Sequence, residues 1–265
     1  MTKTEKDLPL LPIRPGKNYA QNRLDYYQDL HNLIAAHHTS AGRLDPSEGM
    51  IATAHALHSG PATDSGKLRY EISAAKDLGF NLAPPIADSS IDMLVAAAAA
   101  HRFDMPAFWR SAARVLKPGG SVAIWGSASM RTSPGTPHAE AIQARIDQFE
   151  AEIQPYLLAG NLLTRGLHKD LGLPWTVESA VEGFDEKMFF SRDWDIDMDV
   201  FEQILGTMSP VTRWRADRPD ATGEKDVVRA FRRDIERLLR EAGVEEGNEK
   251  VKRSAQGILL IVKKK

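Results

Sequence analysis

An α/β fold with helices on both faces of a largely parallel sheet is what this sequence predicts, and three observations carry the prediction. The stretch "ADSSIDMLVAAAAAHRF" is apolar on both faces, as a strand covered on two sides is. A helix pattern follows at once in "DMPAFWRSAARVL", then the turn and apolar run "KPGGSVAIWG", which together read as strand, helix, strand. The chain closes on an amphipathic helix, "VVRAFRRDIERLLREAG", and an apolar strand, "GILLIVKKK".

The composition narrows the class of protein. At 265 residues, 42% hydrophobic and 26% charged, the chain is large enough for one big soluble domain or two small ones. A formal net charge of -2 gives no field to attract nucleic acid or an anionic membrane, so a small neutral or acidic molecule is the expected partner. The absence of cysteine excludes disulfides, thiolate-ligated zinc, iron-sulfur clusters and a cysteine nucleophile. Charges and prolines interrupt "MTKTEKDLPLLPIRPGKNYA", and no later run reaches the roughly 18 apolar residues of a membrane span. A soluble, cytoplasmic protein is the expectation.

Taken in order, residues 1–18 carry four charges before Leu8 and three prolines by Pro15, and read as a mobile lead. Helical spacing begins at Tyr19 and aligns Leu30, Leu33 and Ile34. "TSAGRLDPSEGM" then holds an acidic turn of the kind that ends a nucleotide-binding strand, and "EGMIATAHALH" reads as an amphipathic helix. "LRYEIS" alternates as a short strand, and "AAKDLGFNLAPP" leaves it as a loop. The alanine run favours helix by propensity. Its position favours a buried parallel strand, because a helix with Asp104 at its N-cap and Pro106 in its first turn follows directly. That helix turns Phe108, Ala112, Val115 and Leu116 to one face, and a strand over Ser121 to Trp125 completes the crossover.

Beyond Gly126, "SASMRTSPGTPH" reads as loop, "AEAIQARIDQFEAEI" as a charged helix and "QPYLLAGNLLTRGLHKDLGLPW" as irregular chain. "FDEKMFF" reads as strand and "DVFEQILGTMS" as helix, while the alternation in "RDWDIDMDV" gives one wet and one buried face. The last helix points Phe231, Ile235, Leu238 and Leu239 inward and is stopped by Gly243. His37, His38, His55 and His58 lack the ligand pattern of a zinc site, so no metal is expected.

The run from "DSSIDMLV" through "AHRFD" to "LKPGGSVAIWG" resembles the middle of class I S-adenosylmethionine-dependent methyltransferases, specifically the trans-aconitate methyltransferase-like branch. Further matching segments are "NYAQNRLDYYQDL", "DPSEGMI", "EISAAKDL", "PYLLAGNLL", "LGLPW" and "LGTMS", spread in order over most of the chain. Arg102 stands where the branch has a tryptophan, and two prolines of its N-terminal segment are missing. The resemblance implies S-adenosyl-L-methionine as cofactor and a small-molecule carboxylate or secondary metabolite as acceptor. It implies a single domain over 1–265, with residues 131–222 as a substrate cap.

Residue by residue, the resemblance implies that Asp45 holds the cofactor ribose, that Met50 and Ala75 flank adenine, and that Tyr19 and Arg23 form an N-terminal lid. It makes His101, just past a strand end, the catalytic candidate lining the methyl-transfer cleft. It puts Tyr156, Asn161 and Trp175 around the acceptor. Each also has a plainer role: Asp45 as a helix cap with Pro46 next and Glu48 three on, His101 as a polar residue satisfied at a strand end, Tyr19 and Arg23 on an exposed helix face, and the aromatics as core.

One part of the family's pattern is missing. Its first strand ends in an acidic-x-Gly-x-Gly-x-Gly loop, about 20 residues before the ribose-binding acid in dinucleotide folds. Here nothing upstream of Asp45 is rich in glycine, and "LIAAHHTSAGR" runs straight into "LDPSEGM". The first strand, the glycine loop, the first sheet helix and most of the second strand are expected to be absent as one block. Three readings follow: a methyltransferase weakened by the missing loop, a methyltransferase-fold protein repurposed for non-methylating cyclisation or binding in secondary metabolism, or a non-functional splice or gene-model product.

Overall fold

The computed structural model describes residues 42–57, 69–175 and 191–265. In chain order the elements are β1 (Gly42–Asp45), α1 (Glu48–Leu57), β2 (Arg69–Ile72), β3 (Ile91–Ala97), α2 (Met105–Val115), β4 (Leu116–Thr132), α3 (Ala139–Ile153), α4 (Ala159–Arg165), β5 (Ser191–Asp197), α5 (Met198–Gly206), α6 (Ser209–Asp217), α7 (Val227–Glu241) and β6 (Lys250–Lys263). β1 and β2 form a parallel two-stranded sheet, and β3, β4, β6 and β5, in that order, form a four-stranded one. The latter is mixed: β3 and β4 run parallel, β5 and β6 antiparallel. No described helix is long and apolar enough to cross a membrane.

The chain divides into two compact units. Of the described residues, 42–57, 69–126, 168–175 and 258–265 form a sheet unit, and 127–167 and 191–257 form a helical unit. β4 and β6 pass through both, so each unit is described with its own part of them.

In the sheet unit the predicted crossover forms, but the residues expected as a Pro-Gly-Gly turn are part of β4, which starts at Leu116 directly after α2. The Asp104 carboxylate accepts the Ala107 N–H at 3.0 Å, which supplies one of the partners that the first turn of a helix lacks. Phe108, Trp109, Ala112 and Val115 are buried beneath α2. Lys264 Nζ closes the other end of α2, donating to Ala113 O at 2.6 Å and Leu116 O at 2.7 Å. A cation there also suits the helix dipole. The alanine run is strand through Ala97, because pairing with Ser121–Trp125 of β4 outweighs alanine's local preference for helix. The strand is less covered than expected: Met93 and Ala96 are buried, but Val95 between them is 47% exposed.

The helical unit is built around Phe231 of α7, whose ring lies 4.8 Å from that of Phe149 and 5.5 Å from that of Phe201. Asp226 caps α7 by accepting the Val228 and Arg229 N–H groups, and Arg215 binds both of its oxygens at 2.6 and 2.9 Å. The expected alternation around residue 195 is present, with Asp195 and Asp197 exposed and Ile196 buried. Two expectations are corrected. Ser127–Thr132 continues β4 instead of looping, since the following chain stays tied to β6 through Ser133 N–H and Lys252 O at 2.8 Å. The stretch read as irregular contains α4, whose first turn is capped by Asn161 Oδ1 accepting the Leu158 N–H at 3.0 Å. "FDEKMFF" and the helix expected from Tyr19 lie outside the described residues.

Candidate functional site

Open α/β sheets place ligands at the carboxyl ends of their parallel strands. In the sheet unit Asp45 occupies that end of β1 and pairs in register with Ile72 of β2; the Ser73 N–H donates to Asp45 O at 3.2 Å. The Asp45 carboxylate is half-buried, and its Oδ1 accepts the Ser47 N–H at 2.7 Å, turning the chain into α1. Asp45 is thus not the helix cap anticipated: Ser47, immediately before α1, accepts the Met50 N–H through its Oγ at 3.3 Å and takes that place, while Asp45 shapes the turn with one oxygen and keeps the other without a hydrogen bond among the described residues. Met50 stands in the first turn of α1 and is half-buried, its N–H donating to Ser47 O at 3.1 Å.

Ala75 belongs to the turn that leaves β2. This turn is built from side chains: the Gly79 N–H donates to Ser73 Oγ at 2.9 Å, Ser73 Oγ donates to Asn81 Oδ1 at 2.7 Å, and Asn81 Nδ2 donates to Ile72 O at 2.9 Å. Gly79, at φ +73°, is required twice over, for its left-handed backbone and because a Cβ there would stand 2.5 Å from Ile86 Cδ1.

His101 lies in a single helical turn, Ala100–Arg102, at the carboxyl end of β3. It is half-buried, and Arg102 Nε donates to its Nε2 at 3.3 Å. An accepting Nε2 puts the proton of the neutral ring on Nδ1. Its Nε2 is thus engaged by Arg102. Trp175, also in the sheet unit, meets Trp109 edge-on at 5.7 Å, and Trp109 Nε1 donates to Gly172 O at 2.9 Å. The segment before Trp175 is therefore docked on α2.

Tyr156 and Asn161 stand in the helical unit. Tyr156 is 2% exposed, its ring in the apolar core and its hydroxyl donating to Asp217 Oδ2 at 2.6 Å. Burial first, then the bond to Asp217, hold its phenol above the usual value of 10. Arg213, itself buried, donates to Tyr156 O at 3.0 Å and reaches Asn161 Oδ1 at 3.4 Å. The structure thus gathers Tyr156, Asn161, Arg213 and Asp217 into one cluster, and Asp45, Met50, Ala75, His101 and Trp175 into the other unit. Tyr19 and Arg23 lie outside the described residues. Sequence reading missed Arg213 and Asp217, because their partners are more than 50 residues away and no short motif joins them.

A family model described as a methyltransferase domain matches residues 29–124, a stretch that includes Asp45, Ala75 and His101. The solved structure of a protein from Anaeromyxobacter dehalogenans, named as a type II methyltransferase, superposes with a TM-score of 0.60 at 19% identity, covering 89% of this chain and 85% of that one. The chain has the Rossmann-like α/β fold of class I methyltransferases. A protein of Dictyostelium discoideum named as a methyltransferase is 31% identical over 87 residues, which are 33% of this chain. That match spans only 28% of the Dictyostelium protein.

Proposed function

We propose that this chain is an S-adenosylmethionine-dependent methyltransferase for a small-molecule acceptor of the carboxylate or secondary-metabolite kind, with its cofactor site reduced to the adenosine half. The observation that carries the reading is Asp45, a strand-end carboxylate with one oxygen used by Ser47 and the other accepting nothing among the described residues. Such an oxygen suits the two hydroxyls of a ribose. Met50 and Ala75 flank the base in this reading, and Tyr19 and Arg23 cover it. His101 lines the transfer cleft and Trp175 its acceptor side; Tyr156 and Asn161, with Arg213, shape the cap that the trans-aconitate-like branch carries over residues 131–222. When bound, S-adenosylmethionine supplies an electrophilic methyl group, and holding the acceptor oxygen in line with it is the main contribution asked of the protein.

The methionine half fits less well. No glycine-rich loop precedes Asp45, so the backbone N–H groups that such a loop offers to an amino-acid group have no source in the sequence. The reading of a deleted first strand is supported by the separation, among the described residues, of β1–β2 from β3–β4 into two sheets, since that strand lies between these pairs in the intact fold. Losing it removes roughly five buried apolar side chains at about 1.5–3 kcal/mol each, against a total stability of about 5–15 kcal/mol.

Calorimetry on the 265-residue chain tests the proposal. Adenosine and S-adenosylmethionine are expected to bind with similar, weak affinity, and Asp45→Asn to weaken both by about tenfold, the loss of one charge-assisted hydrogen bond. No heat from S-adenosylmethionine at millimolar concentration rules out methyl transfer by this chain. The genomic DNA between the codons for Arg43 and Leu44 tests the deletion: an in-frame glycine-rich segment there assigns the missing block to the gene model.

A further inference from the structure

The turn that carries Ala75 is held from outside by one side chain. Arg114, near the end of α2, spreads its guanidinium over three main-chain carbonyls of the stretch that follows β2. Nη1 donates to Ile86 O at 2.8 Å, and Nη2 donates to Asp77 O and Leu78 O at 3.3 Å each. Its guanidinium carbon also stands 5.5 Å from the centre of the Phe80 ring. Ser111, one turn earlier on α2, donates its hydroxyl to Lys76 O. The only carboxylate that Arg114 meets among the described residues is that of Asp88, whose side chain is 76% exposed, at 3.1 Å.

That choice of partners fixes geometry more than charge. A planar fork binds several carbonyls in set directions, whereas a lysine in its place offers one compact charge on a flexible stem. The backbone it grips is unusual: Leu78 and Gly79 are both left-handed, at φ +41° and +73°. Glycine takes that conformation freely, but a leucine keeps it only where its surroundings over-determine it. Arg114 binds the carbonyl of Leu78 itself and that of the residue before it. The internal bonds through Ser73 and Asn81 close the turn on itself, and Arg114 and Ser111 fix it to the helix that leads away from His101.

We infer that Arg114 is a positioning residue for the base side of the site: by fixing the Ala74–Leu78 turn on α2 it sets where Ala75 stands, and thereby the preference for adenine over other purines. This rests on the adenosine reading of Asp45 and Ala75 above. Arg114 itself touches no ligand; it acts through the carbonyls of Asp77 and Leu78.

The test uses the full 265-residue chain and its Arg114→Lys and Ser111→Ala variants, with adenosine and inosine as calorimetric probes. These two nucleosides present opposite hydrogen-bonding patterns at the same base edge. The unaltered chain is expected to favour adenosine by about tenfold or more, and Arg114→Lys to bring the two within about threefold of each other, the scale on which a lost polar contact changes discrimination. Amide exchange at Leu78 and Gly79 is expected to accelerate in Arg114→Lys while that of α7 stays unchanged. Ser111→Ala is expected to shift both readouts in the same direction by less, and decides the matter should Arg114→Lys not fold. A purely structural role for Arg114 weakens both nucleosides equally, so a folded variant that keeps the adenosine-to-inosine ratio overturns the positioning role and leaves the adenosine reading intact. A parent chain that binds neither nucleoside overturns the adenosine reading, and this assignment with it.

Discussion

The helical unit and the sheet unit are enclosed to very different degrees. Around Phe231 the helical unit buries Ile142, Ile146, Ile235 and Leu239 completely. In the sheet unit Val122, Ala123 and Ile124 of β4 are equally covered, but Val95 of the neighbouring β3 is 47% exposed and Ile72 of β2 is 42% exposed. Strands of parallel sheets are normally covered on both faces. Of the candidate ligand residues, Asp45, Met50, Ala75, His101 and Trp175 stand in the unit whose strands are partly open, and Tyr156 and Asn161 in the unit with the more continuous core. The proposed adenosine site and the more continuous core thus lie in different units of the chain.

The largest effect that can break this comparison is expected at Phe231. Phe231→Ala should lower unfolding free energy by about 3–5 kcal/mol, the usual cost of emptying a packed aromatic site, as read from urea denaturation. If it costs no more than Val95→Ala, the two units do not differ in the way described. Next comes Asp226, where removing a helix cap costs about 1–2 kcal/mol and the Arg215 pair adds to it. Burial pushes the Asp226 carboxyl up, but Arg215 and two backbone N–H groups outweigh burial and hold it below its usual 3.8. Its contribution is thus fully present above about pH 3.8 and is lost as pH falls through the lower folded-state value. A plot of urea midpoint against pH should drop in that acidic range, and Asp226→Asn should flatten the drop.

In the sheet unit the corresponding cap is exposed, and Asp104→Ala should cost about 1 kcal/mol or less. A drop larger than that of Asp226→Ala would reverse the ranking. Val95→Ala should change stability by within about 0.5 kcal/mol, as exposed substitutions generally do. The smallest expected signal is His168, 4% exposed, with its Nδ1 lacking a partner among the described residues. Burial pushes its imidazole below 6.5, so the unfolded chain takes up a proton first as pH falls through 6.5, and stability falls with it. His168→Gln should remove that slope; a slope that survives assigns it to another histidine.

How much was legible in the sequence varies with the range of the interactions involved. α2 was readable from Asp104, Pro106 and its apolar face, because caps and helical spacing are local chemistry. α3 and α7 were readable for the same reason, and Asp45 could be placed at a strand end from the residues next to it. The extension of β4 to Thr132 was not readable, since Ser127–Thr132 is polar and becomes strand only beside its partner. Arg114 lay within a recognised segment, but its role depends on carbonyls 28 to 37 residues earlier in the chain.

By itself, then, the sequence determined the crossover, the helices α2, α3 and α7, the lack of a glycine-rich run before Asp45 and the strand-end position of Asp45, because short-range propensity, capping and periodicity carry that information. Only the tertiary structure decided that Tyr156 is core, that Arg213 and Asp217 gather around it, that Val95 stays open, and that Arg114 holds the turn bearing Ala75. Those outcomes depend on groups far apart in the chain meeting at hydrogen-bond distance, and no pattern within a single segment encodes which of them will meet.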